Sequence, residues 1–466
     1  MNKLLLTTII AAFSILCYGQ ISTLSPYSIY GLGEDISSSL TAQASMAHTG
    51  IAVRNPLNIN ATNPAALSQL GRVTFNMDVR NEFLTLNTST ASQSNSIFTI
   101  NNISFGFPLI NDFTKKRRST IAFGLKPLTG QGYDIEITQT VPDLSDVTYR
   151  FIGNGGVSDA FASFSYDLLS FTRENKEKTY KINRADVLSL GVTGSYLFGT
   201  LDRSRITEMN LGASASNLYR GRILEISDIS MRTGLMYSHA LTKSDTTIDR
   251  FSKEPRIGKK VIGHLSVGAF YNPSVGLNTF QTDYDYSYAG AYTNPGVIDT
   301  LTFNQIKTTT QAVSSYGIGA SLSLNDKWTF ALDATRTEWS KLTINGLNQG
   351  LNDATRISFG TEFIPAYDES GKGSLLKTIR YRGGLSMQQT RLNVNNTQPM
   401  RYGINFGIGV PLVATRSTSM FNLGLEFANR GNANIGLTEN YVNLHVGFTF
   451  TPNMSYDFWF LKRKYD

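Results

Sequence analysis

The residues able to do chemistry are few. Four histidines, His48, His239, His264 and His445, are scattered over 466 residues, and the single cysteine is Cys17. Metal centres draw imidazoles and thiolates together through short, regular spacings, and no two of these histidines stand at such a spacing. Each reads as a pore-lining or loop residue. Nucleophilic catalysis needs a hydroxyl or thiol beside an imidazole base. Serine and aspartate do flank His239 in "YSHALTKSD", but as ordinary loop residues. The expectation is a protein that is not an enzyme and uses neither cofactor nor metal.

The opening "MNKLLLTTIIAAFSILCYGQ" places Lys3 before an apolar run from Leu4 to Leu16 and reaches the small Gly19. That is the pattern of a secretory signal peptide over residues 1–19. The run is too short to span a bilayer as a helix. Leu16 precedes Cys17, where lipidation calls for a small residue. Cleavage would leave a mature chain without cysteine, which excludes disulfides and thiol chemistry. For an exported chain the net charge of +7 fits contacts with anionic lipid head groups better than nucleic acid. The basic runs "TKKRRS" and "LKRKYD" lie at segment ends, with no nucleic-acid-binding signature around them.

The elements that must position everything else are marked by period two. In "RYGINFGIGVPL", Tyr402, Ile404, Phe406, Ile408, Val410 and Leu412 share one face, and Gly403, Asn405, Gly407 and Gly409 the other. "MFNLGLEFANRG" repeats this, with Phe421, Leu423, Leu425 and Phe427 against Asn422, Gly424, Glu426 and Ala428. "SYGIGASLSLNDKWTFALDATRTEW" does it twice, around a turn at Asn325-Asp326. A soluble sandwich also alternates, but its polar face is charged and faces water. Here the polar face is Gly, Ser, Thr and Asn, which suits a crowded or water-lined interior, while the apolar face suits lipid. Strands of about 9–11 residues match a tilted bilayer crossing. Trp328, Trp339, Tyr402, Tyr441 and Trp459 are candidates for interfacial girdles.

The fold expected is therefore all-β: a transmembrane antiparallel barrel of about fourteen to sixteen strands, with even numbers favoured. Residues 72–466 form the barrel. Long insertions fall at 133–156, 172–185, 200–218, 243–258 and 276–312, the last with the character of an extracellular loop. Residues 20–71 lack alternation and are long enough to fold inside the barrel as a plug. Within them, Pro64 lacks an N–H and pushes Asn63 out of helical geometry, while Ala65 permits close approach; Asn63 can bond to nearby backbone. In "STIAFGLKPLTGQGYDI" a strand meets Pro127, then Gly130 and Gly132. A strand proline belongs at a bulge, at a gap in pairing, or at the strand's end.

Residues 25–34, "SPYSIYGLGE", and 46–75, "MAHTGIAVRNPLNINATNPAALSQLGRVTF", resemble the FadL-like long-chain fatty acid outer-membrane transporters, especially those of the Bacteroidetes group. So do 328–368, "YGINFGIGVPL", "NLGLEFANRGNANIGLTENYVNLHVGFTF" and the ending "FWFLKRKYD"; the stretch from about 130 to 310 matches only in pattern. The resemblance implies a fourteen-stranded barrel closed by an N-terminal hatch, whose Asn-Pro-Ala motif falls on Asn63, Pro64 and Ala65. It also implies a lateral exit beside a kinked third strand, which places Pro127, Gly130 and Gly132 there. The basic tail departs from the aromatic ending of many outer-membrane proteins, and the inner face is polar for a fatty-acid path. The expected function is passive uptake of hydrophobic, fatty-acid-like molecules across the outer membrane of a Gram-negative bacterium. Membrane lipids and a hydrophobic ligand are the expected partners, and nucleic acid is not. The alternative is a structural barrel, partnered with another outer-membrane protein of a secretion or assembly machinery, with no transport role. A continuous apolar cavity inside would favour the first; a large apolar surface outside would favour the second.

Overall fold

The computed structural model describes residues 23–110, 117–141, 144–174, 181–209, 217–248, 255–289, 296–366, 375–394, 396–414, 417–432 and 436–452. The expected signal peptide, residues 1–19 with Cys17, and the tail with Trp459 and "LKRKYD" lie outside the described residues. Along the chain run β1 (Glu34–Asp35), β2 (Thr74–Asn87), β3 (Ser92–Ile110), β4 (Ser119–Val141), β5 (Leu144–Glu174), β6 (Lys181–Met209) and β7 (Asn217–Ile248). Then come β8 (Pro255–Asn272), β9 (Gly276–Ala289), β10 (Gly296–Gln311), β11 (Ser315–Leu324), β12 (Trp328–Thr337), β13 (Thr343–Ile344) and β14 (Leu347–Asn348). The last are β15 (Ala354–Phe363), β16 (Arg380–Gln389), β17 (Met400–Ala414), β18 (Ser417–Asn432) and β19 (Leu437–Phe450).

Fourteen of these close an antiparallel ring. Strands β2 to β8 pair in succession, β8 pairs with β11, and β11, β12 and β15 to β19 follow, with β19 returning to β2. The alternation dictates which way each face points. Phe98, Ile318, Leu332, Leu385 and Phe406 are 53–64% exposed on the outer surface, while Asp333, Arg382, Asn405 and Glu426 are at most 5% exposed within. Apolar outside and polar inside inverts the order of a water-soluble core and is the order lipid imposes. No described helix is long and apolar enough to cross a membrane. The turn between β11 and β12 uses left-handed Asn325 and Asp326, with φ of 52° and 55°, as the sequence suggested.

The wall is uneven. β11, β12, β15 and β16 have ten residues each, whereas β5, β6 and β7 have 31, 29 and 32. The insertions expected as loops are thus largely continuations of the ladder, because cross-strand hydrogen bonds satisfy long backbone segments without further packing. The stretch 276–312 is a hairpin of β9 and β10, paired to the first part of β7, from Asn217 to Ile226. Two expected girdle residues are elsewhere. Trp339 is buried among Leu342, Leu351 and Val313, and Tyr441 is buried in the lumen. Trp328 and Tyr402 are exposed on the outer face, Trp328 stacked on Phe330 and Phe363.

The segment before β2 lies inside the ring. Ser25 donates to Glu439 on β19 at 2.6 Å, and the Thr41 N–H to Asp78 on β2 at 2.8 Å. Asn101 of β3 donates to the Ser39 carbonyl, and Asn63 donates to the Leu235 carbonyl of β7. The Gly50 N–H reaches Asp333 on β12 at 2.7 Å, and Asn405 of β17 donates to the Ala44 carbonyl. One segment bonded to strands all around a closed ring must sit in its lumen. The ladder has no free start or end strand, so it should resist detergent. In a detergent gel the unboiled protein should migrate differently from the boiled form, and identical mobility would contradict a closed barrel.

Candidate functional site

Asn63 caps a 3-10 turn, Pro64–Gln69, by accepting from the Ala65 N–H at 3.0 Å. Its amide donates to the Ile51 carbonyl at 2.8 Å and to the Leu235 carbonyl at 3.2 Å, so the side chain joins two parts of the inner segment to the wall. Asn63 and Ala65 are fully buried. What admits this backbone is a row of inward glycines. At Gly234 a Cβ would lie 2.9 Å from the Pro64 ring, and at Gly268 2.6 Å from the Ile51 carbonyl oxygen. At Gly360 it would lie 2.6 Å from the Met46 oxygen, and at Gly447 2.6 Å from the Thr41 hydroxyl. Gly191 meets the Pro64 backbone in the same way, and Gly384 the Met46–Ala47 backbone. Each position is closer than a real Cβ tolerates.

The remaining lumen is held by charge. The Arg430 guanidinium, 2% exposed, donates to Glu34 at 2.5 Å, to Glu439 at 2.6 Å and to Ser25 at 2.8 Å, and lies 5.1 Å over the Tyr27 ring. Arg382 and Arg380 share Glu362 at 2.7 and 2.8 Å. Buried charges persist only when paired and hydrogen-bonded in this way. The histidines, far apart in sequence, partly converge. His48 and His445 flank Glu426 at 3.6 and 3.7 Å. Burial, with Arg356 nearby, pushes His48 down to about 4, so it stays neutral. His264 contacts Arg54 at 2.8 Å. His239 pairs with Asp186 at 2.6 Å, and Arg173 and Tyr237 complete that cluster. Neighbouring Ser238 bonds instead to Arg54 and Ser266. Among the described residues no group of His, Cys, Asp and Glu could hold a metal ion. Alternation does put Glu426 and Asn405 on the glycine-bearing face; nothing along the chain links Arg430 to Glu34 or Asp186 to His239.

A seam interrupts the wall. β3 and β4 pair only from Ile110–Ser119 to Ile103–Leu125. Beyond that pair β3 continues along β2 to Ser92, and β4 continues along β5 to Val141. Pro127 lies two residues past the last β3 pair, at a register shift against β5. It does not end its strand. The facing edge of β4 is met by the inner segment. β1 pairs Glu34 with Gly130 and Asp35 with Thr129, the Ile36 N–H donates to the Leu128 carbonyl, and the Ser28 hydroxyl both accepts from the Gly132 N–H and donates to its carbonyl. Pro127, Gly130 and Gly132 thus lie along one edge, while Asn63, Pro64 and Ala65 lie against β6 and β7.

Two cavities beside the inner segment are small, about 30 Å³ beside Glu34 and Glu426 and about 160 Å³ beside Arg54 and Arg382. The end of the lumen opposite the start of β2 is filled by apolar Leu32, Leu197, Leu201, Trp339 and Leu342. A fourteen-strand ring filled by its own N-terminal segment is the arrangement to compare. The BamG family model matches residues 1–466. The chain belongs to the BamG family. No curated protein matches it. In fold, this BamG-family barrel is similar to a FadL homologue of Pseudomonas aeruginosa, at 11% identity and a TM-score of 0.53 over 91% of this chain and 99% of that one. It is similar to the toluene transporter TodX of P. putida at 14% identity and 0.52, over 90% and 99%, and to the CymD monoaromatic hydrocarbon channel at 12% and 0.50, over 91% and 98%.

The glycine bed of the BamG-family barrel yields a direct test. Overpacking a tight site costs about 1–3 kcal/mol. Gly234→Val should leave a heat-modifiable barrel whose N-terminal segment is cut faster in limited proteolysis. Gly194→Val, at an outward position with open space around it, should not change the rate.

Proposed function

We propose that this chain is an outer-membrane barrel of a Gram-negative bacterium through which small hydrophobic molecules pass passively. They enter at the mouth opposite the plug's junction with β2, rest against plug and wall, and leave sideways into the bilayer between β3 and β4. Residues 20–71 act as the hatch and β1 as its latch. The observation that carries this reading is the seam. Backbone groups facing lipid must be satisfied within the protein, and the β4 edge is satisfied there by the inner segment. Withdrawing that segment would free an edge that Pro127 keeps short of one donor and that Gly130 and Gly132 let bend. The similar fold of TodX, a toluene transporter, and of CymD, a monoaromatic hydrocarbon channel, supports the same reading.

A covalent latch separates a moving β1 from a fixed one. Asp35 and Thr129 are cross-strand partners, and no cysteine follows Cys17. In Asp35→Cys/Thr129→Cys the oxidised barrel should take up toluene several-fold more slowly, with recovery on reduction. Uptake at the original rate with the disulfide formed would refute the lateral route.

A second reading, a partner barrel in an outer-membrane machinery without transport, is favoured by a different feature. The β9–β10 hairpin stands outside the ring of fourteen and exposes Phe280 by 53%, Leu301 by 56% and Phe303 by 69%. Apolar exposure of that size marks contact surfaces. Replacing residues 277–310 by a short turn should then remove co-purifying outer-membrane proteins while toluene uptake stays unchanged.

A further inference from the structure

Strands β6 and β7 carry an arginine array on their luminal face, toward the end of the barrel opposite the junction of the plug with β2. Register sets Arg203 opposite Arg222 and Arg205 opposite Arg220 across β6 and β7. Arg203 donates to the Gly31 carbonyl of the plug, which fixes this face as inward. Like charges placed directly opposite destabilise a sheet, so the array needs counter-charge. β9 supplies half of it. Arg222 pairs with Asp283 at 2.6 Å, and Arg220 with Asp285 at 3.1 Å. Among the described residues neither Arg203 nor Arg205 is paired with a carboxylate. The Arg203 Nε is buried without a hydrogen-bond partner, and Arg205 lies 5.0 and 5.7 Å over the rings of Tyr149 and Phe151.

These side chains line an open cavity of about 490 Å³, with Tyr133, Phe151 and Ile29 among its other walls. A second cavity of about 110 Å³ shares Arg203 and Arg222 and adds Leu201, Leu224, Ile344 and Leu347. A planar guanidinium fork matches a carboxylate or phosphate, and aromatic and aliphatic walls match an apolar body. We propose that this luminal cavity is a binding site for a small organic oxyanion, its charged group held by Arg203 and Arg205 and its body by Phe151, Tyr133 and the adjoining leucines. The inference goes beyond passage of neutral hydrophobic molecules and does not depend on the seam, since it concerns equilibrium binding at the mouth.

The test is calorimetric titration of the full chain in a non-ionic detergent with phenyl phosphate, inorganic phosphate and benzyl alcohol. Phenyl phosphate, which carries both features, should bind most tightly and weaken as salt is raised. Losing charge-assisted hydrogen bonds should weaken it by about tenfold or more in Arg203→Gln/Arg205→Gln, with benzyl alcohol unaffected. Arg205→Gln alone leaves the plug contact of Arg203 intact and should weaken phenyl phosphate without altering heat-modifiability. Equal binding of phenyl phosphate and benzyl alcohol, or unchanged phenyl phosphate binding in both variants, would overturn the proposal.

Discussion

Everything in this barrel depends on how closely one backbone approaches another. An irregular segment in a lumen brings polar N–H and carbonyl groups into a space that excludes most water, and each needs a partner. Partners on the wall can be reached only if the wall has no side chain in between. Glycines on the inward registers of β6, β7, β8, β15, β16 and β19 provide that approach, and the plug backbone from Thr41 to Ala65 occupies the space their missing Cβ atoms leave. Asp78, Asp333 and Asn405 then complete the hydrogen bonding from neighbouring inward positions. The polar inner face is therefore fitted to a protein segment at least as much as to solvent.

Charge serves the same end by a different route. Arg430 and Glu439 on the wall bind Ser25 and Glu34 of the plug, and Glu426 gathers Arg401, Asn443 and the imidazoles of His48 and His445. Removing water from such groups is costly, and pairing offsets that cost without a large surplus. Their contribution is accordingly more to register than to net stability, since a shifted plug would leave Arg430 and Glu439 buried without Glu34 and Ser25. The outer face has no such requirement, and its side chains vary among Phe, Leu, Ile, Tyr and Met without consequence for the ladder.

Alternation made the wall legible. Once Tyr402, Ile404 and Phe406 are assigned to lipid, Gly403, Asn405 and Gly407 must face inward, and the same logic puts Glu426 beside Gly424 in the lumen. The turn at Asn325-Asp326 was legible for a local reason, since both residues tolerate left-handed backbone. What period two cannot report is height or long-range pairing. A strand that runs past the bilayer loses its apolar partners and reads as a loop, as 133–156 and 276–312 did. Aromatics mark burial as readily as an interface, so Trp339 and Tyr441 were placed on the wrong surface. Arg430 with Glu34, and Asp186 with His239, are joined only by the closure of the ring.

The plug is not uniform in what holds it. From Thr41 to Ala65 it is keyed into glycine recesses, so displacement there must break hydrogen bonds and also slide backbone out of fitted space. From Ser25 to Ile36, Leu32 adds one apolar anchor against Leu197, Leu201 and Leu342, but directional contacts dominate: the two β1 pairs, the Ser28–Gly132 bonds and the Arg430 cluster. Gly31 and Gly33, with φ of 61° and 88°, stand at the bend between them and β1, where a chain can redirect at little steric cost. Directional contacts can be exchanged for water or for a ligand one at a time, whereas a fitted recess empties all at once. If the β3–β4 seam opens as proposed, the first part of the plug is the part that would yield, and the Asn63–Ala65 turn, keyed against β6 and β7, would stay in place.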